Sequence, residues 1–178
     1  MALAGLDART LKPDDSIFCK GEFTLPGSSH KYRCWKRTGH GYVDLDHGVG
    51  ASCDVYFYQV ALKLGIDRIH DFLTRFGLGQ PLGVDLPGEK GGLMPSREWK
   101  KRVRKEEWYL GETLNVGIGQ GYTLVTPLQL AQITARMAMH GKGFRPHIVH
   151  AIQDPQTPNT HAGPPYPMPN HQRIDVHA

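Results

Sequence analysis

Ser52-Cys-Asp-Val-Tyr-Phe-Tyr-Gln-Val-Ala-Leu-Lys-Leu-Gly65 is the stretch on which the reading of this chain turns. Cys53, Phe57, Val60 and Leu64 recur at helical spacing, so residues 52–64 read as an amphipathic helix stopped by Gly65. A serine and a carboxylate two residues apart at a helix start can both face a polar cleft, with Cys53 pointing elsewhere. Ordinary capping also accounts for the tripeptide, because helices favour Ser at the N-cap and Asp in the first turn. Taken alone, the tripeptide reads as ordinary capping.

Working outward, Cys53 is one of three cysteines, and Cys19 and Cys34 both precede it. His40 adds an imidazole to the same region. Three thiols and one imidazole satisfy a structural tetrahedral zinc site, and thiolates favour zinc over magnesium or calcium. The spacing matches no zinc-finger pattern. Buried free cysteines acting as small hydrophobes, or a disulfide between two of the three, are the competing readings. His30 and His47 are near enough to compete with His40, whereas His140, His147, His161, His171 and His177 are expected to be exposed.

The chain has 178 residues, 39% of them hydrophobic and 21% charged, which suits one globular domain with a real core. The net charge of +4 is mildly basic. Its richest cationic run, Lys100-Lys-Arg-Val-Arg-Lys105, is followed by Glu106-Glu107 and reads as a solvated, self-neutralising face, not a nucleic-acid site. No stretch approaches the roughly 18 apolar residues of a membrane span. Met1-Ala-Leu-Ala-Gly-Leu6 lacks the basic region of a signal peptide and reads as the end of a helix.

Residues 7–50 are rich in turn signals. After Gly65, Asp67 is expected to cap a helix with the stripe Ile69, Phe72, Leu73 and Phe76, and Ser96 a short helix carrying Trp99. Thr113 to Tyr122 reads as a short strand or extended loop. Thr126-Pro127 starts a helix running to about Met139, with apolar residues on nearly every side, so burial on most faces is expected. Residues 154–178 form a Pro-rich segment read as loop or disordered. Gly117-Ile-Gly-Gln-Gly121 lacks the Lys-Ser/Thr of a phosphate loop, so nucleotide binding is not expected. Trp99, Trp108 and Tyr109 could form a glycan or partner surface, although packing explains them equally simply.

A set of short matches in fixed order and spacing runs from about residue 1 to residue 153. It includes Leu25-Pro-Gly27, Tyr32-Arg33, Trp35-Lys36, Gly39-His-Gly41, Ser52-Cys-Asp54, Phe57-Tyr-Gln59, Gly65-Ile-Asp-Arg68, Met94-Pro95, Arg97-Glu-Trp99, Gly117-Ile-Gly-Gln-Gly121 and Thr126-Pro127. Through these the chain resembles the transpeptidase domain of class B penicillin-binding proteins, nearest the elongation-specific penicillin-binding protein 2 type. The resemblance implies an α+β fold, here a mainly helical fragment of a penicillin-binding, β-lactamase-like transpeptidase fold. Residues 1–153 would be a partial transpeptidase domain with a zinc-binding loop region at 15–54. It also implies D,D-transpeptidation, with a peptidoglycan stem peptide and β-lactams as ligands, and a role in cell shape. Elongation-machinery membrane proteins would be partners. The parent enzyme would be anchored in the inner membrane with its catalytic domain in the periplasm.

The family works through a Ser-x-x-Lys, a Ser-x-Asn or Ser-x-Asp, and a Lys-Ser/Thr-Gly strand around one cleft. The resemblance makes Ser52 a proton relay and Asp54 the group that orients the substrate amide or the catalytic lysine. It places Cys19 and Cys34 where some relatives carry Asp ligands, with His40 and Cys53 as His and Cys. The other two motifs are not expected here. Ser28-Ser-His-Lys31 has the right form, but Tyr32-Arg-Cys-Trp-Lys-Arg-Thr-Gly39 follows it with no helical apolar period. Lys36-Arg-Thr-Gly39 carries one residue too many for a Lys-Thr-Gly strand. Met1-Ala-Leu-Ala-Gly-Leu-Asp7 reads as the residues just after the real nucleophile, so this chain alone is expected to be inactive. A non-catalytic, zinc-stabilised scaffold or partner-binding module is the alternative, and an unorthodox Ser28/Lys31 nucleophile the third possibility.

Overall fold

The computed structural model describes residues 1–149 and 172–173. Two compact units divide the chain: Met1–Leu73 with Met94–Thr123, and Thr74–Leu93 with Leu124–Asp175.

In the first unit, α1 (Ala2–Asp7) leads into four short strands, β1 (Ile17–Cys19), β2 (Glu22–Thr24), β3 (Lys31–Arg33) and β4 (Gly41–Val43). They form two antiparallel ribbons. β1 pairs with β4 in the register Ile17–Val43 and Cys19–Gly41, and β2 pairs with β3 in the register Glu22–Arg33 and Thr24–Lys31. The turn-rich region thus gains regular structure from a local hairpin, β2–β3, nested within the longer-range pairing of β1 with β4, which local composition does not encode.

α2 (Leu45–Gly50) follows, capped by the Asp44 carboxylate, which accepts from the His47 amide. α3 (Asp54–Leu64) is the central element. It buries Val55, Tyr56, Tyr58, Val60, Ala61 and Leu64, and each large side chain removed from water is worth about 1.5–3 kcal/mol. Gly65, at φ +75, ends it as expected. The helix begins at Asp54 and not at Ser52, with Cys53 as N-cap. Phe57 is only half-buried, so Val55 and Tyr56 replace it on the core face.

α4 (Ile66–Arg75) buries Ile69 and Phe72. Asp67 lies within its first turn instead of capping it, and pairs with Arg97 at 3.0 Å. α5 (Arg97–Arg104) is capped by Ser96, whose hydroxyl accepts from the Trp99 amide. In the cationic run on this helix, Lys101 pairs with Glu107 at 3.3 Å. Lys100, however, is fully buried, 2.6 Å from Glu112 and over the Tyr109 ring, so the run is not solvated throughout. Trp108 is buried and donates from Nε1 to Thr113 Oγ1, and Trp99 packs on Tyr122. Packing therefore accounts for both tryptophans, while Tyr109 remains exposed beneath Lys100.

α6 (Leu110–Gly117) replaces the strand or loop expected over 113–122. Glu112 reaches back to the Tyr109 amide, closing the first turn. Its buried residues Thr113, Leu114, Val116 and Gly117 lie against α3. A Cβ on Gly117 would sit 2.6 Å from Ala61 Cβ, so glycine permits this close approach.

In the second unit, Leu93 and Leu124 exchange main-chain hydrogen bonds of 2.7 and 2.9 Å. α7 (Pro127–Ala138) starts at Thr126 with a reciprocal capping box to Gln129. The buried Gln129 amide nitrogen lies within hydrogen-bond distance of the carbonyls of Gly77, Gln80 and Gly91. The expectation that α7 is buried on most faces fails: its buried residues are Gln129 and Arg136, while Leu128, Leu130 and Met137 are exposed. This helix is held by polar side chains bonded to main-chain carbonyls, with Arg136 reaching Arg75 O. β5 (Lys142–Gly143) pairs antiparallel with β6 (Gln172–Arg173). The rest of the Pro-rich 154–178 segment lies outside the described residues, as do His161, His171 and His177. His140 and His147 are exposed.

Candidate functional site

Two features of the first unit meet at the start of α3. The first is a surface cleft of about 400 Å³ lined by Met1, Ala2, Ser52, Asp54, Phe57 and Gly117 to Gly119. The Ser-x-Asp pair thus faces one cleft while Cys53, fully buried, faces away. Ser52 is exposed and holds φ +50, a left-handed conformation uncommon for a residue with a side chain. Its hydroxyl does not cap α3, and its left-handed backbone belongs to the C-terminal cap of α2.

Main-chain bonds close this turn as the C-terminal cap of α2, the Ser52 amide donating to the Val49 carbonyl and the Cys53 amide to the Gly48 carbonyl, and Trp35 adds contacts to it from another segment. Its backbone N–H donates to Asp54 Oδ2 at 2.8 Å, and its indole Nε1–H lies 3.0 Å from the carbonyl oxygens of both Ala51 and Ser52. Nothing in the sequence marked Trp35 beyond its place in the Trp35-Lys36 match, because two of these bonds end on main-chain oxygens and the third begins at a main-chain amide.

The second feature is a thiol–imidazole cluster. The structure brings Cys19, Cys34, His40 and Cys53 together, with their candidate ligand atoms all within 4.8 Å of one another. Cys19 ends β1, Cys34 follows β3, His40 precedes β4, and Cys53 caps α3. The loops are brought close by Gly21 and Gly39, at φ +95 and +81, where an added Cβ would strike the carbonyl oxygens of Arg37 and Cys19 respectively. All three cysteines are buried and free.

His40 Nδ1 lies 3.6 Å from Cys19 Sγ and 3.5 Å from Cys34 Sγ. Bonds of about 2.3 Å to sulfur and 2.0–2.1 Å to nitrogen give a tetrahedral N···S edge of about 3.6 Å. The donor set and these two edges fit zinc. His40 Nε2 is buried without a hydrogen-bond partner, and the Trp35 ring stands edge-on to the imidazole at 5.3 Å. A polar partner for that nitrogen, usual behind a metal-bound histidine, is replaced here by an aromatic wall.

Burial pushes the Cys53 thiol up to about 12. Burial also raises Cys19, but hydrogen bonds from the His40 and Gly21 amides and the neighbouring thiols outweigh it and leave that thiol below its ordinary value. The competing histidines are engaged elsewhere: His47 is 2.8 Å from Asp44, and His30 stacks on Tyr32.

The two look-alike motifs have other local roles. Ser28 lies in a turn and its hydroxyl accepts from the His30 amide, while Lys31 sits in β3 and pairs with Glu22 at 2.8 Å. Lys36 to Gly39 is a turn closed by the Gly39 amide on the Lys36 carbonyl, not a strand.

Residues 1–175 match the family described as penicillin binding protein transpeptidase domain. The chain is 45% identical over 149 residues to the peptidoglycan D,D-transpeptidase MrdA of Salmonella typhimurium (strain SL1344), covering 84% of this chain and 24% of that protein. It is 45% identical over 169 residues to the MrdA of Acinetobacter baumannii, covering 95% and 24%. Among solved structures, it resembles Pseudomonas aeruginosa PBP2 in complex with WCK 5153, with a TM-score of 0.86, 48% identity, and coverage of 99% of this chain and 37% of the other. Helicobacter pylori PBP2 in its complex with MreC gives a TM-score of 0.77 at 33% identity, covering 91% and 29%. The chain spans about a quarter of the length of the curated relatives it matches. No helix among the described residues is long and apolar enough to cross a membrane. With a Ser-x-Asp pair on one cleft, mixed helices and short strands, and a family match over nearly its whole length, this chain belongs to the penicillin-binding protein transpeptidase domain family, of the PBP2 type.

Proposed function

We propose that this chain supplies the Ser-x-Asp wall of a serine-type D,D-transpeptidase cleft, in which a serine attacks the D-Ala-D-Ala amide of a stem peptide, releasing the terminal D-Ala and forming an acyl ester, and an amine then displaces the serine from that ester, cross-linking peptidoglycan. The observation that carries this reading is the shared cleft of Ser52 and Asp54, with Ser52 held in a left-handed turn that exposes it. Ser52 relays a proton during acylation, and Asp54 orients the substrate amide or the catalytic lysine. The nucleophile and the Lys-Ser/Thr-Gly strand come from residues other than those of this chain. Ser28 and Lys31 are already committed to a turn and to an ion pair.

The same reading places the working enzyme at the inner membrane with this domain in the periplasm, serving cell shape. Its ligands are β-lactams and the stem peptide, and its partners include membrane proteins of the elongation machinery. MreC, present with the Helicobacter pylori protein, is the partner type to examine first. Zinc held by Cys19, Cys34, His40 and Cys53 is part of the proposal, as a structural ion tying β1, β3 and β4 to the start of α3. The thiol cluster also favours a second reading, a non-catalytic zinc-stabilised scaffold or partner-binding module.

A chimera tests this. The chain replaces its 149-residue matched span in the Salmonella typhimurium D,D-transpeptidase, and acylation by a fluorescent penicillin is followed. A labelled chimera, slowed about a hundredfold or more by Ser52→Ala, is the expected result. A folded chimera that takes no label favours the scaffold. Labelling of Ser28 in the 178-residue chain, read by mass spectrometry, overturns the assignment of the nucleophile.

A further inference from the structure

Trp35 is an exposed aromatic residue, with 62% of its surface open to solvent, yet both of its N–H groups are committed to one short segment. The main-chain N–H holds one oxygen of the Asp54 carboxylate. The indole N–H holds the carbonyls of Ala51 and Ser52, which flank the left-handed peptide turn at φ +50. The preceding residue is Cys34, and the indole ring packs edge-on against His40. The residue therefore touches both halves of the Ser-x-Asp pair and the thiol–imidazole cluster.

A left-handed serine costs roughly 1–2 kcal/mol relative to an ordinary conformation, and it persists only where its surroundings hold it. The Ser52 and Cys53 amides, bonded to the Val49 and Gly48 carbonyls, close the turn, and the indole bonds are the side-chain contacts added to it. Because the indole donates to main-chain oxygens, it restrains the backbone that carries the Ser52 hydroxyl without occupying that hydroxyl. The main-chain bond to Oδ2 likewise restrains one oxygen of the Asp54 carboxylate. Both ends of the pair are thereby positioned by one residue whose own location depends on the Cys34–His40 loop.

We infer that Trp35 is the positioning residue of the Ser-x-Asp pair, a clamp that transmits the arrangement of the thiol–imidazole loops to Ser52 and Asp54. This inference rests on the D,D-transpeptidase reading of those two residues. It makes no contact with substrate necessary. It assigns the loop cluster a role beyond holding the domain together: the cluster fixes where Trp35 stands.

Two measurements test it. In the 178-residue chain, hydrogen exchange of the Trp35 main-chain and indole N–H groups is read by nuclear magnetic resonance. Both are expected to exchange at least about tenfold more slowly than in an open chain, despite the exposed ring. Exchange of both at the open-chain rate overturns the clamp whatever the cleft does. In the chimera, Trp35 is replaced by benzothienylalanine, which keeps the ring shape and lacks only the N–H. Penicillin acylation is expected to fall about tenfold, the effect of one or two lost hydrogen bonds, with zinc content unchanged and the protein still folded.

Combined with Ser52→Ala, the replacement is expected to add no further loss, because both changes act through the same group. Full additivity, or an unchanged acylation rate, overturns the inference about Trp35 alone. A rate unchanged by Ser52→Ala itself overturns the underlying reading of the cleft. Trp35→Phe serves as the genetically encoded variant, and a loss of rate accompanied by loss of folding in Phe but not in benzothienylalanine leaves the latter's rate as the deciding value.

Discussion

The Trp35 amide donates to Asp54 Oδ2 across 2.8 Å, so the residue following Cys34 is bonded to the residue following Cys53. Two cysteines of the thiol cluster are thus joined by a short polar bridge on the cleft side as well as by their own proximity. A change at the cluster has a direct route to the Ser-x-Asp pair.

Metal is the first consequence to measure. Elemental analysis of the purified chain is expected to find about one zinc per chain, and a strong chelator to lower its unfolding midpoint. Cys53→Ala is expected to reduce zinc content and to loosen the start of α3 together, because Cys53 is both a cluster member and the N-cap. A protein without zinc, in which all three thiols titrate freely under native conditions, sinks the proposal.

Gly21 and Gly27 make a matched pair of substitutions. Both have positive φ, at +95 and +74, but an added Cβ meets the Arg37 carbonyl at Gly21 and open space at Gly27. Gly27→Ala is expected to cost about 1 kcal/mol, the penalty of the left-handed backbone alone. Gly21→Ala is expected to cost at least about 2 kcal/mol more and to lower zinc uptake, since the loops carrying Cys19 and His40 must separate. Equal losses in denaturant unfolding for the two variants contradict the close approach.

Gly117→Ala drives a methyl group to 2.6 Å from Ala61 Cβ and 3.1 Å from the Phe57 carbonyl oxygen. A loss of about 1–3 kcal/mol is expected from overpacking between α3 and α6. Adding Ala61→Gly to that variant is expected to recover part of it, although glycine within a helix costs about 1 kcal/mol by itself. Absence of any recovery in the double variant would place the damage somewhere other than this contact.

Ser52→Gly separates stability from function. Glycine adopts φ +50 freely, so unfolding is expected to become more costly by up to about 1 kcal/mol. Acylation of the chimera is expected to fall as far as with Ser52→Ala, because the hydroxyl is gone. A variant that is both destabilised and fully active refutes the assignment of strain and of relay together.

The Asp44–His47 pair sets a pH window for α2. Hydrogen bonds from the His47 amide and then its ring hold Asp44 below its ordinary 3.8, and Asp44 raises His47 above 6.5. The carboxylate's contribution is present above 3.8 and is lost as pH falls through its depressed folded value. The imidazolium's contribution is present below 6.5 and is lost as pH rises through its raised folded value. The difference in unfolding midpoint between the parent chain and Asp44→Ala is therefore expected to be largest near pH 5–6, shrinking on both sides. A difference that does not vary with pH excludes the pair as the cause.

Much of the architecture was legible from residues alone, for identifiable reasons. Cys53, Val60 and Leu64 on the core side of α3 follow from apolar spacing, Gly65 from its position after that run, and the caps of α5 and α7 from Ser96 and Thr126-Pro127, whereas Phe57 was misplaced by the same spacing. These are local signals, carried by side chains within a turn or two of the feature they specify. The three cysteines of the cluster stood out because cysteine is rare here, and rarity needs no geometry, whereas His40 was separated from its neighbours His30 and His47 by the family resemblance.

α6 was hidden because its glycines and β-branched residues have weak helical propensity, which contact with α3 overrides. The exposed apolar face of α7 was hidden because periodicity reports which residues are apolar, not what covers them.

By itself, then, the sequence determined the composition of the site: Ser52, Asp54, three thiols and an imidazole, placed around one helix start. Only the tertiary structure decided their arrangement. The left-handed turn at Ser52, the meeting of four ligand atoms from separated segments, and the Trp35 clamp all depend on main-chain groups brought together across the chain. Every residue carries the same amide and carbonyl, so bonds made through them leave no mark in the order of side chains.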